Sequence, residues 1–329
     1  MSFGVIGAGS PLVDYTVAVD EEFLQSSISG SKGGTVHICD REREQIFSKL
    51  AGRKIARTPG GAAANTICAL GRLGIRSAFC GRIGEDEDGE FFVSELRRSR
   101  VAADYIFRSS TGSTGYCLSL VTEDAERTMR SNLGVSTQLG ETEFERCDFK
   151  NFNWLLCEGY MLQTPEFYTI FDRAKAAGCA VALDFSSPEI AAAIPEKLDE
   201  LLTEKVDMVL CNDAEAAAFT GCSDPVKNLL TLSGKCRFAA VKLGADGSLI
   251  KAGNEPVLEI APVMHHPAVD TTAAGDHYAA GLFYGLSRNW SWRSCGEFAS
   301  LLGGTAAAVS GSRVPEELWQ EIFRAIDHF

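Results

Sequence analysis

The 329 residues predict an α/β fold: a mostly parallel central sheet with helices on both faces, and a small β-sheet lid. Three observations carry this. Short apolar or β-branched runs alternate with longer helical patterns, the rhythm of β-α-β units. Several of those runs are continuously apolar, as strands buried on both faces must be. Two stretches, residues 12–56 and 104–135, break the rhythm and read as sheet projecting from the body.

The first strand spans Phe3–Ala8. Residues 12–56 are polar and Gly- and Ser-rich, with no clear core helix until Glu42–Leu50. Strands follow at Gly115–Thr122 and Arg127–Asn132, joined by a turn at Glu123–Asp124. Trp154–Glu158, Ala180–Asp184, Val206–Cys211 and Arg237–Leu243 read as buried strands, separated by helices at Pro165–Ala177, Pro188–Thr203 and Asp213–Thr220. The last third is helical and rich in small residues, at Gly275–Leu286 and Trp292–Ser310, and Pro315 opens a final helix to about Asp327. With no repeat and no long linker, residues 1–329 read as one domain with a lid. Ligands of such a sheet sit beyond the C-terminal ends of its strands.

Lys and Arg total 31, Asp and Glu 44, for a net charge of −13. That field does not attract phosphate backbones or anionic lipid, so nucleic acid and membranes are not expected partners. No apolar run reaches the length of a bilayer span. The 11 cysteines are scattered, none in a C-x-x-C pair, and read as small buried hydrophobes in a reducing compartment. The five His are poorly spaced for zinc. A cytoplasmic protein is expected.

The strongest chemical signal is Asp270-Thr271-Thr272-Ala273-Ala274-Gly275-Asp276. Small residues at a helix start leave backbone N–H groups open, and the helix dipole adds positive potential. A carboxylate there can take a proton from an attacking hydroxyl. On physics alone a plain helix cap explains the segment equally well. The second signal is Pro59-Gly60-Gly61-Ala62-Ala63-Ala64-Asn65, where glycines permit close approach and Asn65 offers donor and acceptor groups. Here too a strand-to-helix turn capped by Asn65 is a sufficient account.

Together these segments resemble the ribokinase-like (PfkB) carbohydrate kinases. Their C-terminal signature is usually Asp-Thr-X-Gly-Ala-Gly-Asp, and Ala273 stands where Gly is commonest. The resemblance continues through Gly71-Arg72-Leu73-Gly74 and Gly81-Arg82-Ile83-Gly84-Glu85-Asp86. It implies Asp276 as catalytic base, with the backbone of Ala273, Ala274 and Gly275 as anion hole. It implies Asp14, Gly60, Gly61 and Asn65 as the substrate site. Asn212-Asp213-Ala214-Glu215 matches the family's Asn-X-X-Glu motif, implying Mg2+ linked to Glu215 through water, although the helix dipole alone would favour a carboxylate there. Lys242-Leu243-Gly244-Ala245-Asp246-Gly247 resembles the nucleotide loop, with Gly244 and Gly247 beside ATP. Position 242 is often Thr in relatives, so Lys242 either brings charge to the phosphates or points to solvent. Gly303 and Ala307 are expected near adenine.

The implied activity is ATP-dependent phosphorylation of a hydroxyl, expected to be a primary one, on a sugar or nucleoside. A monovalent cation and a homodimer through the lid stay open. Glu126-Arg127-Thr128-Met129 and Glu158-Gly159-Tyr160 resemble the adenosine-kinase-like branch, which favours a nucleoside modestly over ribose, fructose or a 2-keto-3-deoxy sugar acid. An apolar slot for a base would be drawn from Val13, Phe185, Tyr116, Leu118 and Leu120. The rival class is a non-catalytic sensor on the same fold, disfavoured by the presence of Asp276. A dehydrogenase is weaker still, since Leu12 replaces the third Gly of the dinucleotide fingerprint.

Overall fold

The apolar runs become the strands of a central sheet. A computed structural model describes residues 2–124 and 126–329. In chain order the described strands are β1 (Gly4–Ala8), β2 (Leu12–Ala18), β3 (Thr35–His37), β4 (Ile55–Gly60), β5 (Arg76–Gly84), β6 (Ile106–Ser109), β7 (Gly115–Val121), β8 (Arg127–Asn132), β9 (Trp154–Glu158), β10 (Ala180–Asp184), β11 (Met208–Asn212), β12 (Phe238–Lys242), β13 (Ser248–Ala252) and β14 (Leu258–Ile260). The large sheet runs β14-β13-β12-β11-β10-β9-β1-β5-β6. It is parallel from β6 to β12, and β13 and β14 close one edge antiparallel.

Parallel register brings the C-terminal ends of these strands to one edge. Four neighbouring strands end on Glu158, Asp184, Asn212 and Lys242. Asp184 pairs with Glu158, and Asn212 with Lys242. An apolar run that finishes on a polar residue thus places that residue at the rim of the sheet, where ligands of open α/β sheets bind.

Helices cover both faces. Phe283, Phe298 and Leu70 belong to the core on one side, Phe171, Leu202 and Leu229 to the core on the other. Each such side chain contributes about 1.5–3 kcal/mol on burial. The small residues of the last third serve close packing: a Cβ on Gly281 would lie 2.4 Å from Ala299 Cα. That contact joins the helices Ala274–Ser287 and Trp292–Ala307. No helix among the described residues is long and apolar enough to cross a membrane.

The two stretches that break the rhythm contribute a second sheet, β3-β8-β7-β2-β4. Alternation along β7 turns Tyr116, Leu118 and Leu120 to one face, as expected. That face does not line a cleft. It packs with Val17, Phe23, Leu24, Ile46 and Leu50 into a third core. Phe23 and Leu24 come from the helix Glu21–Ser27, which sequence analysis passed over. Asp20 caps it, accepting from Phe23 N at 2.7 Å. Val13 and Phe185, also expected at a base slot, are both 0% exposed.

Candidate active site

The Gly60-Gly61 pair brings the first loop onto the helix Ala62–Arg72. Gly61 has φ +97, and a Cβ there would lie 2.3 Å from Ser10 O. A Cβ on Gly60 would lie 2.4 Å from Asp14 Oδ1, so only glycine leaves room for that carboxylate. Asn65 is not the cap of its helix; Gly61 occupies that position. Being inside the helix frees the Asn65 side chain to point across the cleft, where Nδ2 donates to Asp276 Oδ2 at 2.9 Å. Thr66 Oγ1 donates to the Asp276 carbonyl at 3.0 Å. The two sequence motifs, separated by some two-thirds of the chain, are thus bonded to each other.

Burial pushes the Asp276 carboxyl up to about 7, the Asn65 hydrogen bond and Lys242 working against it and Asp184 with it. A carboxylate poised near neutrality suits a general base. Asp14 is likewise pushed up to about 7 by burial, opposed by Arg127. Ala273, the N-cap of the signature helix, lies in the left-handed region at φ 58. A non-glycine residue there carries about 1–2 kcal/mol of strain. The consequence of Ala at this position is therefore backbone strain in the turn rather than only an extra methyl.

Lys242 points inward. Its Nζ donates to Asp184 Oδ2 at 3.1 Å. The same ammonium would lie 2.9 Å from a Cβ on Gly275, so it rests against the first turn of the signature helix. Burial disfavours its charge, but Asp184 and Glu215 outweigh that and raise its pKa. A fixed cation beside a helix N-terminus is an arrangement that stabilises a transferring phosphoryl group.

Asn212 and Glu215 form a capping box. Glu215 Oε2 accepts from Asn212 N and Oε1 from Asn212 Nδ2, both at 2.8 Å. The ordinary helix-start role of Glu215 is therefore present. Burial also pushes its carboxyl up to about 7, helped by Asp184 and opposed by Lys242. No group of three or more His, Cys, Asp or Glu among the described residues could hold a metal ion. An ion carried by phosphates and water would need protein carboxylates only at its outer side. Asp184, whose charge helps raise the Glu215 carboxyl, and Glu215 itself fit that position.

Gly244 and Gly247 lie in the turn after β12 at φ +60 and φ +89. Gly244 has open space around it, whereas a Cβ on Gly247 would lie 2.0 Å from Ile260 O. Gly303 is buried, where a Cβ would approach Ala274 O to 3.1 Å, and so joins two helices. The Ala307 carbonyl accepts from Val269 N at 2.7 Å and Asp270 N at 3.1 Å, fixing the loop before the signature.

Three groups were missed as site residues. Asp184 is the partner of Lys242. Glu158, 1% exposed, accepts from Ser10 N at 2.8 Å and Ala63 N at 3.1 Å. It thereby ties the Asp14 loop to the Asn65 helix. Asp270 accepts from Arg127 Nη1, Thr272 N and Gly311 N, each at 2.9 Å. Burial opposes ionisation of Asp270, yet these bonds hold its carboxyl below the usual range. Arg127 thus joins the small sheet to the signature turn. The sequence signal for the first two was available: each is an acid ending a buried strand.

A buried carboxylate, a helix N-terminus and an inward-facing ammonium meet at one rim of the sheet, an arrangement suited to phosphoryl transfer to an alcohol. The chain belongs to the pfkB family carbohydrate kinases, whose family model matches residues 39–319. It is 25% identical over 286 residues to a fructokinase from Vibrio alginolyticus, covering 83% of this chain and 92% of that protein. To the ribokinase of Mus musculus it is 23% identical over 236 residues, 69% of this chain and 71% of that one. The adenosine kinase from Sinorhizobium meliloti superposes with a TM-score of 0.87 at 27% identity, covering 99% of this chain and 100% of that one. The protein is a sugar or nucleoside kinase, and its family implies ATP use.

Proposed function

We propose that Asp276 takes the proton of an acceptor hydroxyl held by Asp14 and Asn65, while Lys242 and the N–H groups of Ala273 and Gly275 receive the γ-phosphoryl group of ATP; the Ala274 N–H, expected to join them, already donates to the Thr271 carbonyl at 3.2 Å. The observation that carries this is the Asn65–Asp276 hydrogen bond with the Lys242 ammonium set against Gly275. As the hydroxyl oxygen bonds phosphorus, its proton passes to Asp276 and the bond to the ADP oxygen breaks. The small sheet acts as a lid that keeps competing water from the phosphoryl group. Glu215 and Asp184 would meet the water shell of a Mg2+ ion carried by the nucleotide phosphates, an ion that would supply charge neutralisation.

Asp14→Ala is expected to raise the acceptor KM and leave ATP affinity nearly unchanged. The lost hydrogen bonds are worth roughly 1–3 kcal/mol, one to two orders of magnitude in KM. A variant impaired only in nucleotide binding would place the acceptor at the wrong end. Glu215→Gln is expected to shift the Mg2+ dependence of rate to higher concentration, because a charge that orders metal-bound water is removed. An unchanged curve would return Glu215 to its capping role alone.

For the acceptor, a nucleoside is the first reading, supported by the whole-chain likeness to the Sinorhizobium meliloti adenosine kinase. Free sugar is the second, and a specific observation favours it. The sheet face shared with Asp14 carries Thr16, Thr58, Cys117 and Ser119 by register, while Tyr116, Leu118, Leu120 and Phe185, expected to seat a base, lie in cores. Competitive turnover of adenosine, other nucleosides, ribose and fructose at equal concentration separates the two. A kcat/KM tenfold higher for a free sugar, about 1.4 kcal/mol, would reject the nucleoside.

A further inference from the structure

A cavity of about 360 Å³ lies behind the catalytic cleft, between the helices Ala62–Arg72, Glu87–Arg98 and Ala274–Ser287 and the segment 312–319. Its volume falls in the range of small-molecule sites. Asn65 lines it, and so does His277, the residue after the base. Successive residues of a helix point about 100° apart, so His277 turns into this cavity and not into the cleft.

His277 is 3% exposed. Its Nδ1 lies 3.0 Å from the Ala273 carbonyl, which can only accept. Nδ1 therefore carries the proton, and Nε2 is an acceptor without a hydrogen-bond partner among the described residues. Trp319 forms an aromatic wall, its ring 6.3 Å from that of His277. Arg72, Arg98 and Arg313 also line the cavity. The carboxylates among them are Glu95, which pairs with both Arg98 and Arg313, and Glu316, which pairs with Arg72. Three guanidinium groups against two carboxylates leave a local excess of positive charge in a chain of net charge −13. Guanidinium forks match the oxygens of phosphate and carboxylate groups.

We propose that this cavity is a second ligand site for a small metabolite bearing an oxyanion, a phosphate ester or a carboxylate. Its body rests on Trp319, a donor group meets His277 Nε2, and its anion engages Arg98 and Arg313. Occupancy reaches the chemistry through two groups that both sites share. Asn65 positions Asp276, and the His277–Ala273 bond holds the strained turn of the anion hole. The ligand is thus a regulator of turnover and not a second acceptor.

The test titrates the intact enzyme with inorganic phosphate, ribose 5-phosphate and gluconate, reading tryptophan fluorescence and initial rate at saturating ATP and acceptor. The expected result is a saturable fluorescence change with at least one probe and a change in kcat that persists at saturating acceptor. Response to ribose 5-phosphate but not phosphate assigns a phosphate ester, and response to gluconate a carboxylate. Binding should weaken at least about tenfold in Arg313→Gln and in Arg98→Gln, with kcat without probe near wild type. Two variants are used because either could disturb its ion pair with Glu95. No saturable signal with any probe, a rate effect that vanishes at saturating acceptor, or binding undiminished in both variants overturns the proposal. The binding arm is independent of the Asp276 assignment, so failure of that assignment would show only in the rate arm.

Discussion

Asp276→Asn is expected to lower kcat on the order of 10²–10⁴-fold, the contribution of a positioned general base, with the fold intact. Asn keeps the size of the side chain and can still accept from Asn65, but it cannot take the hydroxyl proton. The same substitution should stabilise the protein at neutral and alkaline pH. Burial raises the folded carboxyl from 3.8 to about 7, so folding favours the protonated form. Stability from this group is fully present below pH 3.8 and is lost as pH rises through about 7. The Asn variant does not titrate and should melt above wild type at pH 8, the gap closing in acid. Near wild-type turnover in the variant would remove Asp276 as base.

Lys242→Met carries the second largest expected effect. Removing a fixed donor to a transferring group costs on the order of 10²–10³ in kcat. A structural role for the Lys242–Asp184 bond alone would lower stability and leave the chemistry's pH dependence in place. Its position beside two carboxyls adds a second mark. Lys242 holds down the carboxyls of Asp276 and Glu215, so its loss should move the acid limb of the rate profile to higher pH. A variant within tenfold of wild-type kcat, with its pH profile unmoved, would return Lys242 to a structural ion pair.

Much of this site was legible in the chain because it is built from local signals. An apolar run with a polar last residue marks a strand end at the sheet rim, yet Asn212 and Lys242 were reached through the family motifs, from strands read as Val206–Cys211 and Arg237–Leu243. Asp184 and Glu158 obeyed the same rule and were passed over, since each looked like the ordinary end of a strand. What no local signal carries is which rim residues meet. Asn65 and Asp276 are bonded only because the helices Ala62–Arg72 and Ala274–Ser287 pack side by side, and nothing near either residue encodes that. The small sheet shows the opposite failure. The alternation along Gly115–Thr122 was read correctly as one apolar face, but its occupant depended on the helix Glu21–Ser27, too short and too Ser-rich to register as a core element. The inward turn of Lys242 likewise required Asp184, a residue fifty-eight positions away.

The central claim is that Asp276 is the base that accepts the hydroxyl proton. Single-turnover transfer of the γ-phosphoryl group from ATP to the acceptor, followed from pH 5 to 9 in wild type and Asp276→Asn, tests it most directly. The wild-type rate should fall in acid with an apparent pKa near 7, the value to which burial brings Asp276, and the variant's small residual rate should lack that limb. The same acid limb surviving in the Asn variant would mean that another group titrates and accepts the proton, contradicting the assignment.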